Sequence, residues 1–131
     1  MAFIPLIVAM GGNVGIQSSA LVVQGLANET LRGSLITKLI KELGVGLVNG
    51  LLCAVLLFVV NFFTLEETKL SISISLSLLS VIVFAAIFGT WVPLAFHKIK
   101  VDPALATGPF ITTANDVFGL LLYFYICQIL L

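Results

Sequence analysis

Asp116 stands inside GPFITTANDVFG, residues 108–119, a polar passage in an otherwise apolar stretch. Thr112 precedes it by four residues and Thr113 by three, so on a helix both hydroxyls share the carboxylate's face. Gly119 follows by three and offers close approach to a neighbouring backbone. Gly108 and Pro109 come one to two turns earlier; a proline inside a helix frees the carbonyl one turn before it, here near Leu105. A second cluster, MGGNVGIQSS at residues 10–19, holds Gly11, Gly12, Asn13, Gly15 and Gln17, with Asn13 and Gln17 one turn apart on a common face. Carboxylate, amide, hydroxyl and carbonyl oxygens are hard ligands, suited to Mg²⁺, Ca²⁺ or Mn²⁺ and poor for zinc or copper. A lone carboxylate does not strip Mg²⁺ of its water. The expectation is therefore a hydrated ion, with a symmetric dimer bringing two Asp116 residues together.

Other chemistries lack their parts. The sole histidine, His97, sits beside Lys98 and Lys100 at the end of an apolar run, and no hydrolase or metalloprotease motif is present, so no enzyme is expected. Cys53 and Cys127 lie in apolar runs and read as small packing residues; no prosthetic group is implied. Six acidic and six basic residues cancel, and nothing suggests a nucleic-acid partner.

The elements that position these groups must lie in lipid. Of 131 residues, 60% are hydrophobic and 9% charged, against roughly 25% charged in soluble domains. About 20 apolar residues cross the hydrocarbon core, and four segments qualify: residues 3–26, 44–65, 70–96 and 104–131. This predicts an all-α polytopic membrane helix bundle. Residues 29–43 repeat Leu35, Ile36, Leu39, Ile40 and Leu43 at helical spacing, which predicts a short amphipathic interfacial helix. KLSISISLSLLS (69–80) alternates like a strand, but a lone strand cannot satisfy its backbone in lipid, so helix is expected there too. Arg32, Lys38 and Lys41 in the first connection, with Lys98 and Lys100 in the third, place residues 28–43 and 97–103 in the cytoplasm and both termini outside. No basic residue precedes Arg32, so the N-terminus is not a signal peptide, and a preceding helix is expected. Counted from Ala104, Asp116 falls ~18 Å into its span, near the midplane, level with the Gly-Gly-Asn cluster. The two clusters suggest interrupted helices meeting at an ion or substrate site.

PLIVAMGGNVGIQSSALVVQGLA (5–27) and DPALATGPFITTANDVFGLLLYF (102–124) resemble the membrane domain of MgtE-type magnesium transporters and channels. The resemblance implies a homodimer in the lipid bilayer, typically a bacterial inner membrane, with five transmembrane helices per subunit. It implies passage of partly or fully hydrated Mg²⁺, with Mn²⁺ or Co²⁺ as other candidate ions. The motif aspartate lining the pore is then Asp116, with Gly12, Asn13 and Gln17 at pore or packing positions. Leu105, Gly108, Thr112 and Thr113 complete the candidate pore-lining or hydrated-ion contacts. Two departures stand out: the family's first helix and cytoplasmic Mg²⁺-sensing domains are absent, and Ile16 stands where many members carry a second polar residue.

Blander readings compete. Asp116 would serve as a buried structural acid bonded to Thr112 or Asn13, the glycines as a packing seam, and Asn13 as a plain interhelical hydrogen-bonder. Trp91 would be an interface anchor, Pro93 a kink, and Glu66 and Glu67 a solvated loop. Functionally, a Mg²⁺ channel leads, against a proton-coupled small-solute carrier with a titrating Asp116 and a non-transporting membrane assembly subunit.

Overall fold

The structure, a computed structural model, describes residues 3–27, 35–64 and 67–131. It contains four helices: α1 (Ile4–Ala27), α2 (Leu35–Thr64), α3 (Thr68–Lys98) and α4 (Pro109–Leu130). A 3-10 turn, Pro103–Ala106, precedes α4. All four α-helices are long and apolar enough to cross a membrane, and the molecule is an all-α polytopic helix bundle. The first and third expected spans agree with the observed helices to within two residues.

The serine-rich segment is helix, and the hydroxyls of Ser71, Ser73, Ser77 and Ser80 turn onto their own backbone, while that of Ser75 has no partner among the described residues. Ser73 donates to the Lys69 carbonyl at 2.8 Å, Ser77 to Ser73 at 2.7 Å and Ser80 to Leu76 at 2.8 Å. Such bonds satisfy the hydroxyl where water is absent. They also let Ser71, Ser73 and Ser77 be buried at the centre of the bundle.

α3 is that centre. It packs against α1, α2, α4 and the 3-10 turn, while α1 and α4 also pack on each other. α2 meets α3 through one buried stripe at helical spacing, Gly46, Gly50, Ala54, Leu57 and Asn61. A Cβ on Gly46 would lie 3.0 Å from that of Ala86, so the helices touch almost backbone to backbone. The rest of α2 offers Leu52, Val55, Leu56 and Phe63 to the surroundings, as a lipid-facing helix does. On the other side of α3, Val81 is lodged between Gly11 and Gly119, whose added Cβ atoms would lie 2.8 and 3.3 Å from its Cγ1.

Three expectations are corrected. Within the expected interfacial helix at 29–43, residues 35–43 are not a separate helix. From Leu35 the chain already belongs to α2, because one glycine at position 44 costs a helix only ~1 kcal/mol and no proline intervenes; residues 28–34, with Arg32, lie outside the described residues, as does Glu66. Second, α1 is not interrupted: it runs unbroken through MGGNVGIQSS, its glycines accommodating neighbours and leaving the helix intact. Third, the last span is helical only from Pro109. Gly108 takes φ 58° and ψ −126°, a conformation that side chains disfavour, and Pro109 then opens α4.

Candidate ion site

Because α4 starts at Pro109, Asp116 lies ~10 Å along it and not ~18 Å into a longer helix. The proline breaks no helical hydrogen bond, so the freed carbonyl expected at Leu105 does not arise; Leu105 sits in the 3-10 turn with its side chain 63% exposed. Gly108's carbonyl instead accepts twice from Thr112, from its backbone N–H at 3.0 Å and from its hydroxyl at 3.0 Å. This pair of hydrogen bonds fixes the first turn of α4 and turns the threonine methyl toward Gly12. A Cβ on Gly12 would lie 3.7 Å from Thr112 Cγ2. Asp116, one turn on from Thr112, is half-buried and has no side-chain hydrogen bond or ion pair among the described residues. The structural-acid arrangement, with Asp116 bonded to Thr112 or Asn13, is not formed.

The remaining candidates divide. Gly12 is buried against α4, whereas Asn13 and Gln17 share an exposed face of α1, with Ala9, Ala20 and Gln24 along it. Thr113 is exposed beside Asp116. The structure thus brings Gly12, Thr112 and Gly108 together one to two turns before Asp116, and leaves Asn13, Gln17 and Thr113 exposed on the single chain.

Asn115 is a residue that sequence spacing did not single out. It is 1% exposed, and neither amide atom finds a partner. Its amide nitrogen occupies the space a Cβ on Gly15 would fill, and Gly15's carbonyl in turn lies against Gly89. The Asn115 side chain is thereby wedged among α1, α3 and α4, which sets the rotation of α4 and turns Asp116, the next residue, away from that junction. A buried Asn beside an exposed-face Asp was visible as "ND" in the sequence; which member pointed inward was not. Glu42 was not singled out by spacing either. On α2 it turns toward α1, lining a narrow cleft with Gln17, Ser18 and Asn49.

Against known proteins, a family model for MgtE, described as a divalent cation transporter, matches residues 4–126. The chain belongs to the MgtE family. Among curated MgtE proteins it is 38% identical over 123 residues to the magnesium transporter of Bacillus subtilis, covering 93% of this chain and 27% of that one. It is 33% identical over 130 residues to the magnesium transporter of Thermus thermophilus, covering 98% and 29%. The Enterococcus faecalis magnesium transporter is 35% identical over 127 residues, covering 96% and 28%. The chain spans little more than a quarter of the length of these MgtE relatives. The match runs through both polar clusters, and the four apolar helices agree with an integral membrane protein of that family.

Proposed function

We propose that this chain forms the ion-conducting membrane part of a Mg²⁺ channel, with Asp116 as the residue that holds the passing ion. The observation that carries this reading is a carboxylate within an apolar span, half-buried, with no ion pair and no side-chain hydrogen bond among the described residues. An intramembrane charge costs at least ~2.5–3.5 kcal/mol on insertion scales, and such groups face a bundle interior or water. The MgtE relatives, named magnesium transporters, supply the ion.

The chemistry follows from charge and water. One carboxylate does not replace the inner shell of Mg²⁺, so the ion keeps its waters and Asp116 attracts it through them. Thr113 and Asn13 offer further oxygens to those waters from the exposed faces of α4 and α1. Two copies facing each other across these surfaces supply two carboxylates, matching the dication, and selectivity comes from a passage sized to the hydrated ion. The chain lies in a cell membrane of bacterial type, with Lys41, Lys98 and Lys100 on the cytoplasmic side and both termini outside. Mn²⁺ and Co²⁺, similar hard or borderline dications, compete for the same site.

The test is a titration of Mn²⁺ into isotope-labelled chain in nanodiscs, following which amide signals broaden. Signals from residues 112–119 broaden, recover with excess Mg²⁺, and stay sharp in Asp116→Asn. Broadening confined to Glu67 or to the chain ends would return Asp116 to a structural role.

A further inference from the structure

α2 carries Glu42 into its apolar stretch, which begins at Ile40. Its carboxylate is half-buried and forms no ion pair among the described residues. It lines a cleft between α1 and α2 together with Gln17, Ser18 and Asn49. Asn49 follows Glu42 by seven residues, two turns along the same face and ~10 Å further into the span. Ser18, 2% exposed, adds a buried hydroxyl-bearing residue to the lining. Gly46, Val14 and Val45 complete the cleft's lining. The enclosed volume is about 10 Å³, room for about one water.

A carboxylate, two amides and a hydroxyl lining one cleft are again hard oxygen ligands with one negative charge. Gln17 also belongs to the exposed face that holds Asn13 one turn away, and Gly12, beside Asn13, meets Thr112 one turn from Asp116. Gln17 and Asn13 thus lie along α1 between the cleft and the Gly12–Thr112 contact. We propose that Glu42, with Gln17, Ser18 and Asn49, forms a second station for a hydrated divalent cation, displaced along α1 from Asp116. The enclosed space takes one water of the ion's shell, and the ion rests at the open mouth, held by the Glu42 charge through water. This extends the reading of Asp116 as an ion site and rests on it.

Mn²⁺ titration of the labelled chain in nanodiscs separates the two stations. The expected result is broadening of Gln17, Gly46 and Asn49 that Mg²⁺ reverses. It persists in Asp116→Asn and Glu42→Asp, which leave the Glu42 charge or its equivalent in place. In Glu42→Gln it disappears while residues 112–119 still broaden. Broadening at 112–119 alone in the unmodified chain would overturn the second station and leave Asp116 standing. So would cleft broadening that survives Glu42→Gln, or that vanishes with Asp116→Asn. Absence of broadening at both places would overturn both readings. A Glu42→Gln chain that fails to fold loses the signals of 112–119 as well, and Asp116→Asn and Glu42→Asp then decide between the outcomes.

Discussion

At the scale of single residues, buried amides separate packing from function. Asn61 is fully buried on α2 and neither of its amide atoms has a partner. A buried polar group left unpaired costs about 1–3 kcal/mol, and Asn61 belongs to the α2–α3 stripe and not to the α1–α4 face that carries Asp116. Asn61→Leu is expected to raise resistance to unfolding in detergent by about 1 kcal/mol, with Mn²⁺ affinity unchanged. A loss of stability would reveal a partner for that amide within the assembly. Asp116 stands out in the sequence because a lone acid in an apolar run has few structural excuses. Asn115 and Glu42 stand out less. Sequence spacing says which residues share a helical face, but which face meets a neighbour is decided by residues far away in the chain, here Gly15 and Gly46.

At the scale of elements, the small residues are sockets. Gly15 accepts the Asn115 amide, so Gly15→Ala is expected to force α1 and α4 apart at a cost of about 1–3 kcal/mol. Asn115→Ala vacates the same space, and the double substitution should recover much of the lost stability. Unfolding in detergent checks this; additive losses would mean that the two positions do not share a space. If α4's rotation is what aims Asp116, Mn²⁺ affinity recovers alongside stability in the pair. Helix existence was readable from hydropathy throughout, including the serine alternation, because lipid leaves the backbone no other solution. Helix ends were not. The expected break before residue 44 is absent, since nothing there stops a helix, while the start of α4 moved because one residue's backbone angles, invisible to hydropathy, set it.

For the whole molecule, the uneven burial of the helices matters most. α3 is shielded by its neighbours, whereas α1 leaves the Asn13–Gln17 face and α4 leaves Thr113 uncovered. A polar face in lipid is unfavourable, and in the proposed dimer a second copy would cover it with an identical surface. Native mass spectrometry from a mild detergent is expected to show twice the 14.0 kDa chain; a monomer throughout would leave the two-carboxylate ion site without its second half. Along the chain, the α4 rod that carries Asp116 is joined to the preceding 3-10 turn through Gly108. An added Cβ there meets nothing within 4 Å, so crowding does not explain the glycine; handedness does. Its φ of 58° and ψ of −126° are the mirror image of an ordinary extended residue. L-Alanine there is expected to cost about 1–3 kcal/mol. D-Alanine, installed by chemical synthesis, would sit in relaxed backbone and add about 0.4–1 kcal/mol by stiffening the unfolded chain. At this joint glycine stands in for a residue of the opposite chirality, one that ribosomes do not supply.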